Sequence, residues 1–267
     1  MKPFHEVRDP IYGFIRFSTD ERSIIDTRAF QRLRDIHQLA LSYFVYPGAS
    51  HKRFEHSLGV MELATRIFEN VTRHENVHPK VIAQLPELAD SSKVGYWKQV
   101  VRAAALCHDL GHLPFSHAGE SLIEDGKNHE DLSRLLIDSE ELRSLWQGMR
   151  PPLNPEDILK IALGPKDVAV NFSAWEGILA EIITGDVLGA DRMDYLLRDA
   201  YHAGAAFGRF DVERLISRMR ILPAPPEDDK DEPNGDELKP VLGVDEGGLP
   251  AAETLLIAGK IPNSVKI

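Results

Sequence analysis

The sequence predicts a mainly α-helical protein with one short β-hairpin near its C-terminus. Two segments, 24–39 and 54–71, carry apolar residues at intervals close to 3.6 positions, the period of an amphipathic helix. Two segments near the C-terminus, 218–222 and 239–244, have strand-forming patterns and predict the hairpin. Further helices are expected at 98–108, 118–124, 129–138, 155–163, 175–185, 189–202 and 211–218.

Several of these elements have recognisable boundaries. Asn154 and Asp211 are favourable helix starts, because their side chains accept hydrogen bonds from free amides of a first turn. Pro-Gly at 47–48 and Gly111 mark loops beside candidate ligands. The proline- and acid-rich stretch 223–238 between the two strands is expected to be a mobile loop. The alternative for this stretch is an acidic contact arm.

Composition limits the possible functions. The 267 residues, 43% of them hydrophobic, suffice for one large domain with a substantial core or for two modest domains. The net charge of −11 argues against extended nucleic acid as a partner, because its binders need cations that displace counterions. Cys107 is the single cysteine, so no internal disulfide is possible. The apolar run before Cys107 favours a buried helical residue over a metal ligand.

The expected location is the cytoplasm, with no membrane partner. The first residues, Met1 to Glu6, lack the apolar stretch of a signal peptide. No apolar run approaches the roughly 20 residues that a membrane-spanning helix needs.

Four residues form a candidate metal site: His56, His108, Asp109 and Asp191. The adjacent pair His108-Asp109 ends an apolar helix, where a buried charge is costly unless it is paired or bound to metal. His56 continues the apolar stripe of its helix and is expected to face inward. Imidazole and carboxylate together suit a hydrolytic divalent metal, and three helices leave positions open for water and substrate. The sequence therefore predicts metal-assisted phosphate-ester chemistry.

A polar stripe extends from the third of these helices. Asp191, Tyr195, Asp199 and His202 lie within about 80° of one face at 100° per residue. The simple interpretation is a solvated face. Because the apolar side of this helix is already formed by other residues, the stripe also suits recognition of a sugar or a base.

A second group of histidines and acids follows the His-Asp pair. It comprises His112, His117, Glu120, His129 and Glu130. Gly111 and Pro114 interrupt the helix, so this segment is able to fold back towards the metal. Imidazoles there suit protonation of a leaving oxygen or contacts with phosphates, and each one is also compatible with an ordinary loop histidine.

An ordered set of motifs gives these residues a family context. The motifs are Asp9-Pro-Ile-Tyr-Gly13, Ile25-Asp-Thr27, Phe30-Gln-Arg-Leu-Arg34, Gln38-Leu39, Phe44-Val-Tyr-Pro-Gly-Ala-Ser-His51, Arg53-Phe-Glu-His-Ser-Leu-Gly59, His108-Asp-Leu-Gly-His112, Pro114-Phe-Ser-His117 and the helix Asp191–Asp199. Together they resemble the HD-domain phosphohydrolases. Within that superfamily they resemble the deoxynucleoside triphosphate triphosphohydrolases, the dGTPase-like group that includes the SAM- and HD-domain dNTPase. The resemblance implies a single helical HD domain over 1–267.

The resemblance also implies roles for the metal and the catalytic groups. His56, His108, Asp109 and Asp191 would hold one divalent ion: Mn, Mg, Fe, Ni or Zn. The four residues that match catalytic and phosphate-contacting positions are His112, His117, Glu120 and His129. Among them, His129 would be the general acid at the 5′ oxygen, and Glu120 would orient a histidine.

The substrate implied by the resemblance is a deoxynucleoside triphosphate, cleaved to deoxynucleoside and tripolyphosphate. Arg53 and Arg192 would contact phosphates, because a guanidinium matches phosphate oxygens well. The residues that would line the deoxyribose pocket and disfavour a 2′-hydroxyl are Gln38, Leu39, Tyr195 and Asp199. Other HD-superfamily activity, as a nucleotidase or nuclease, is the first alternative. A nucleotide-sensing protein with reduced activity is the second.

Regulation and assembly are also implied by the resemblance alone. Asp26, Gln31 and Arg34 match positions that recognise a guanine activator in the SAM- and HD-domain enzyme; their spacing is also that of a helix start with exposed polar residues. Family members are homo-oligomers, so oligomerisation is expected. After about position 258 the family's aromatic and basic helix is not evident, and Gly259 stands where arginine is usual. The C-terminal family region is therefore expected to be shortened.

Overall fold

The computed structural model describes residues 4–123, 126–168, 170–206, 208–224 and 238–260. In these ranges the chain is mainly α-helical, as predicted. The α-helices are α1 (Thr19–Ile25), α2 (Arg28–Gln31), α3 (Arg53–Val71), α4 (Pro79–Ile82), α5 (Ser91–Cys107), α6 (His129–Ile137), α7 (Glu140–Gly148), α8 (Pro155–Asp167), α9 (Ala174–Thr184), α10 (Ala190–Ala203), α11 (Val212–Ser217) and α12 (Leu249–Lys260). Short 3-10 helices cover Arg32–Asp35, Ser42–Phe44, His74–Asn76, Pro86–Ala89, Ser116–Leu122 and Glu246–Gly248.

Two antiparallel β-hairpins complete the fold. The predicted C-terminal hairpin is confirmed, with β3 (Met219–Pro223) paired to β4 (Pro240–Val244). An N-terminal hairpin, β1 (Phe4–Asp9) with β2 (Gly13–Ser18), was not predicted from the sequence. Its turn is closed by Asp9, whose Oδ1 accepts hydrogen bonds from two backbone amides of the turn, at 2.8 and 3.0 Å.

Helix α3 lies at the centre of the fold. It packs against α5 and α10, and α5 in turn packs against α8. Most of its residues are buried, including the whole stretch from His56 to Met61. A contiguous cluster of buried apolar side chains extends from Ile15 to Ala258 and surrounds this helix. The metal-ligand candidates therefore lie on the best-packed elements. The single domain over 1–267 stays a prediction.

Side-chain caps explain several helix starts. Asn154 accepts a hydrogen bond from the Glu156 amide at 3.1 Å, and Asp211 accepts one from the Arg214 amide at 2.9 Å, so both predicted starts are confirmed. Helix α8 changes direction at Gly164, whose φ of 73° is in the left-handed region that favours glycine.

The continuous helix predicted over 24–39 is wrong. Helix α1 ends at Ile25, and Thr27 starts a new helix by accepting a hydrogen bond from the Phe30 amide. Ile36 then adopts an extended conformation, and its carbonyl accepts a hydrogen bond from the Arg53 amide at 2.9 Å. The chain must leave the helical geometry here because it connects to the start of α3.

The other predicted boundaries differ less from those in the structure. The helix expected at 98–108 begins earlier, at Ser91. The one expected at 118–124 is a 3-10 helix, which the chain enters through two left-handed residues, Phe115 and Ser116. Most of the predicted acidic loop 223–238, positions 225–237, lies outside the described residues. None of the helices in the described ranges is both long and apolar enough to cross a bilayer.

Candidate metal centre

Three helices bring His56, His108 and Asp191 to one point. His56 lies in the first turn of α3, His108 directly follows α5, and Asp191 lies in the first turn of α10. One potential ligand atom of each residue lies within 4.8 Å of the others. Oδ1 of Asp191 is 3.0 Å from Nε2 of His56 and 3.7 Å from Nε2 of His108. The structure thus brings together three of the four predicted ligands as one group.

The donor atoms at this point fit a divalent metal. Nε2 of His56 and Nε2 of His108 are both buried, and neither makes a hydrogen bond within the described part of the chain. A buried polar atom without a partner is costly, and a metal ion would satisfy both nitrogens. His56 is fully buried and His108 is 8% exposed. The Asp191 side chain is 40% exposed, so the site is open to substrate or water on its side.

The other ring nitrogen of each histidine has a fixed acceptor. Nδ1 of His56 lies 2.7 Å from Oδ2 of Asp194, and Nδ1 of His108 lies 2.8 Å from the Ala105 carbonyl. A carbonyl only accepts, so Nδ1 of His108 carries the proton and its Nε2 lone pair is available to a metal. Metal-binding histidines in proteins usually have such a partner on the second nitrogen.

Asp109, the fourth predicted ligand, borders the same point but has other partners. Its carboxylate oxygens lie 3.7 Å from Nε2 of His56 and 3.6 Å from Nε2 of His108. One oxygen contacts the guanidinium of Arg53, and the other lies 3.3 Å from Nε2 of His112. Burial opposes the charge on Asp109, but the adjacent Arg53 outweighs it and holds the pKa of this carboxyl well below its usual range.

The candidate ligands strongly perturb each other's protonation. Burial alone would lower the pKa of the His56 imidazole, yet the neighbouring carboxylates of Asp191 and Asp194 raise this pKa to about 10. Burial likewise opposes ionisation of Asp191, but His108 and His56 outweigh it and lower the pKa of that carboxyl. Without a metal, a second proton on the His56 imidazole balances part of the carboxylate charge. A divalent ion would have to displace a proton from His56.

A stacked histidine pair forms one side of the centre. The rings of His112 and His129 lie 3.8 Å apart with an interplanar angle of 24°. Nδ1 of His129 is 2.6 Å from Oε1 of Glu120, and its Nε2 is 3.1 Å from Glu130. Burial lowers the pKa of His112 to about 4, although Asp109 opposes the shift. The side chain of His117, a further predicted member, lies outside the described part of the structure.

Arg53 lies against the ligand candidate Asp109. It is 5% exposed, and besides Asp109 it contacts Oγ of Ser116 at 3.3 Å through Nη2. Its Nε is buried and makes no hydrogen bond among the described residues. Arg192 lies next to Asp191, and its Nη1 donates to the Asp186 carbonyl at 2.8 Å.

The polar stripe of α10 starts at the ligand candidate Asp191. Oδ1 of Asp199 is 2.8 Å from Nε2 of His51, and the His51 ring stacks on His202 at 4.6 Å. Tyr195 is half-buried between Asp191 and Asp199 on this helix. Gln38 lies near this stripe, because its backbone amide donates to the carbonyl of His51 at 3.0 Å. Leu39 is the next residue in the chain. Two of the predicted sugar-binding residues, Tyr195 and Asp199, thus follow Asp191 along α10, and Gln38 shares the neighbour His51 with Asp199.

Two of the three candidate activator residues, Gln31 and Arg34, contact each other. Nε2 of Gln31 donates to the Ile25 carbonyl at 2.8 Å, and Nε of Arg34 donates to Oε1 of Gln31 at 2.9 Å. Asp26 is exposed and paired with Arg22 at 3.1 Å. Their position at the surface is compatible with an activator and with an ordinary polar helix end.

Cys107 is fully buried, as predicted, and burial raises the pKa of its thiol.

A cavity of about 570 Å³ is lined by three of the four ligand candidates. The ligand candidates His108, Asp109 and Asp191 form one wall. The rest of the lining comes from the start of α6, from α8, from the end of α9 and its connection to α10, and from β4. The centre is therefore accessible to small molecules.

The sequence interpretation assigned no role to Asp194 and Arg198, which are both fully buried beside the centre. Their spacing of four positions on α10, on the side that also carries Met193, was the available signal. Two opposite charges one turn apart on an apolar face indicate a buried ion pair.

The fold and the site together define a class of protein, the helical proteins with a histidine–aspartate cluster that fits a metal ion. Residues 53–199, which include all four ligand candidates, match the HD domain family. The chain belongs to this family.

Similar proteins extend this result. An uncharacterized protein of Methanocaldococcus jannaschii is 36% identical over 94% of this chain and 43% of its own length. The deoxynucleoside triphosphate triphosphohydrolase SAMHD1 of Mus musculus is 36% identical over 83% of this chain and 34% of its own length. The crystal structure of a hypothetical protein from Aquifex aeolicus has a TM-score of 0.71 and 36% identity, and covers 96% of this chain and 57% of that one. The chain thus spans less than half the length of these two curated relatives.

Proposed function

We propose that this protein is a metal-dependent deoxynucleoside triphosphate triphosphohydrolase, which releases deoxynucleoside and intact tripolyphosphate. The observation that carries the proposal is the arrangement around the metal centre. The stacked pair His112 and His129 borders the ligand candidate Asp109, and the polar stripe with Tyr195 and Asp199 follows the ligand candidate Asp191 along α10. A relative named for this activity shares 36% identity over most of the chain.

The proposed centre consists of His56, His108, Asp109 and Asp191, which would hold one divalent ion. Such an ion supplies positive charge next to a phosphate ester and acidifies bound water. The metal could be Mn, Mg, Fe, Ni or Zn, because this donor set accepts several.

The chain's own residues would carry the proton transfers. His129 is held at Nδ1 by Glu120, so its ring orientation is fixed. We assign it the protonation of the departing 5′ oxygen, a role that suits an imidazole near neutral pH. His112 is neutral at that pH because its pKa is about 4, so it adds no charge next to His129. His117 remains a predicted member of this group.

Substrate orientation would come from two sets of residues. Arg53 and Arg192 border the centre and would bind phosphate oxygens. Gln38, Leu39, Tyr195 and Asp199 would contact the deoxyribose. The Asp199 carboxylate is kept in place by His51, which suits a hydrogen bond to a sugar hydroxyl.

The experiment is a panel of deoxynucleoside triphosphates with Mn²⁺, Mg²⁺, Fe²⁺, Ni²⁺ or Zn²⁺, with products identified by mass. We expect deoxynucleoside and tripolyphosphate. The variant His108→Ala should lose bound metal and turnover, whereas His74→Ala, at an exposed histidine in the 3-10 helix His74–Asn76, should keep both.

Other results would redirect the proposal. Release of a monophosphate or of free phosphate would favour a nucleotidase or nuclease of the same superfamily. Absence of turnover with every metal, together with a blank metal analysis, would refute metal-dependent hydrolysis. Nucleotide binding without turnover would favour a sensing protein.

We also propose that Asp26, Gln31 and Arg34 bind a guanine-nucleotide activator and that the protein forms homo-oligomers. The same panel run with and without GTP tests activation, and light scattering after gel filtration measures the oligomeric state. A rate independent of GTP and a monomeric mass would contradict these two proposals.

A further inference from the structure

Asp194 is a fully buried carboxylate with four polar contacts. Oδ2 lies 2.7 Å from Nδ1 of His56 and 2.9 Å from Nε of Arg198. Oδ1 accepts from Nη2 of Arg198 at 2.8 Å and from the hydroxyl of Tyr12 at 2.8 Å. Both oxygens are therefore fixed, and only one of the four contacts leads to the metal centre.

The partners of Asp194 connect it to the N-terminal hairpin. Nη1 of Arg198 donates to Oδ2 of Asp9 at 2.9 Å, and the other oxygen of Asp9 accepts from the amides of Ile11 and Tyr12. The turn between β1 and β2 is thus fastened to α10 through one arginine and one tyrosine. The side chain of Arg198 is fully buried, and so is that of Asp194.

Helix α3 leaves space for the ion pair between Asp194 and Arg198. Gly59 lies three positions after His56 and therefore on the same face of the helix. A Cβ atom at Gly59 would overlap the carboxylate of Asp194 and Nη2 of Arg198. The glycine at this position is explained by the space that the ion pair needs beside His56.

These contacts have a chemical consequence for His56. A carboxylate at Nδ1 keeps the proton on that nitrogen, so the Nε2 lone pair is directed to the metal. The carboxylate also increases the basicity of the ring and holds its plane. An ion pair that only stabilised the packing of α10 against α3 would not need the His56 contact.

We infer that Asp194 is a positioning residue for the metal ligand His56, and that Arg198 and the β1–β2 turn hold Asp194 in place for this purpose. The inference rests on the metal centre of the proposed function. It extends that centre to the N-terminal hairpin, which lies outside the matched range 53–199.

The test is Mn²⁺ binding by isothermal titration calorimetry to the metal-stripped full chain, with thermal unfolding of the same sample. Asp194→Asn should weaken Mn²⁺ binding on the order of 10- to 100-fold, the usual effect of losing the partner of a metal-binding histidine. The control is Glu21→Gln, which breaks the ion pair between Glu21 and Arg102, a pair only 12% exposed on each side. It should lose stability and keep the wild-type affinity.

A milder pair of variants protects the test against unfolding. Tyr12→Phe removes only the hydroxyl that donates to Asp194, and should weaken Mn²⁺ binding by less than Asp194→Asn does. Tyr96→Phe removes a comparable tyrosine–aspartate hydrogen bond, to Asp157 at 2.5 Å, and should leave the affinity unchanged.

The outcomes separate this inference from the proposed function. If the wild type binds Mn²⁺ and both Asp194→Asn and Tyr12→Phe bind it equally well, the positioning role is wrong and the metal centre stands. If Asp194→Asn does not fold, the Mn²⁺ affinities of Tyr12→Phe and Tyr96→Phe decide. A weaker affinity in Tyr12→Phe alone supports the positioning role, and equal affinities contradict it. If the wild type binds no Mn²⁺, both the centre and the inference fail.

Discussion

The two histidines of the metal centre use the same ring atom for orientation but depend on different parts of the molecule. His108 is bonded to the carbonyl of Ala105, one turn earlier, so the end of α5 is sufficient to orient it. His56 depends on Asp194, which is 138 positions away in the sequence. At the scale of the residue, one ligand is positioned locally and the other only by tertiary structure.

A residue remote from the centre gives a pH-dependent prediction. Burial opposes the charge on Glu21, but its bonds with Arg102 outweigh this and lower the pKa of Glu21 below its ordinary value of 4.5. A carboxyl whose pKa is lower in the folded state stabilises the fold above its unfolded pKa, and this contribution disappears as the pH falls through the folded value. We expect Glu21→Gln to lower the free energy of unfolding by about 3 kcal/mol at pH 7.

The difference between wild type and Glu21→Gln should shrink as the pH falls below the ordinary value of 4.5, because unfolding then takes up a proton in the wild type but not in the variant. It should vanish only when the pH is below the lowered pKa of the folded state. Urea unfolding of both proteins between pH 7 and pH 3 measures it. A difference that stays constant over this range would contradict the assigned ion pair.

The candidate metal ligands were easier to predict from the sequence than the residues that orient them. The adjacency of His108 and Asp109 at the end of an apolar run marks a costly buried charge, and the apolar stripe of α3 indicates that His56 faces inward. Asp194 has no such mark, because its role depends on which helix packs beside α10. Helix periodicity predicts the face of a residue but does not identify the opposing helix.

At the scale of the element, the turn after His108 is held by a side chain from another segment. Nη1 of Arg32 donates to the His112 carbonyl at 2.8 Å, and its Nη2 contacts the carbonyl of Leu110. Arg32 belongs to the 3-10 helix Arg32–Asp35, which also contains the activator candidate Arg34. The loop that carries His112 is therefore fastened to the segment proposed to bind an activator.

We expect Arg32→Ala to lower the free energy of unfolding by about 2 kcal/mol, because two carbonyls lose their charged donor. Turnover should fall as well, since the position of His112 is no longer fixed. The control is Arg28→Ala, at an exposed arginine of α2, which should change neither the free energy of unfolding nor the turnover. Chemical denaturation and the nucleotide assay without GTP measure these effects, and full activity of Arg32→Ala would contradict the role of this contact.

Long periodic elements could be predicted from the sequence, and short ones could not. The ends of α3, α9 and α10 lie within one residue of their predicted positions. The segment 24–39 has a helical period, yet its helix breaks at Asp26 because Thr27 offers a competing cap. The N-terminal hairpin was missed because its strands have six residues each, and their alternation becomes clear only beside the core.

At the scale of the whole molecule, metal should stabilise the folded state, because the ligands come from three helices that separate on unfolding. Ligand at 100 times its dissociation constant adds about 2.7 kcal/mol to the free energy of unfolding. We therefore expect Mn²⁺ to raise the melting temperature and a chelator to reverse the rise. In His108→Ala the shift should vanish. An equal shift in wild type and variant would place the bound ion elsewhere.

The wide separation of His56 and Asp194 along the chain has a consequence for the order of assembly. Closing a loop of 138 positions costs entropy that only collapse of the surrounding apolar cluster offsets. A nascent chain that has not yet produced α10 lacks both the Asp191 carboxylate and the group that orients His56. Ion capture should then be a late event, which follows the formation of the hydrophobic interior instead of guiding it. A newly made chain would therefore bind its ion only after the ligand group has been assembled by folding.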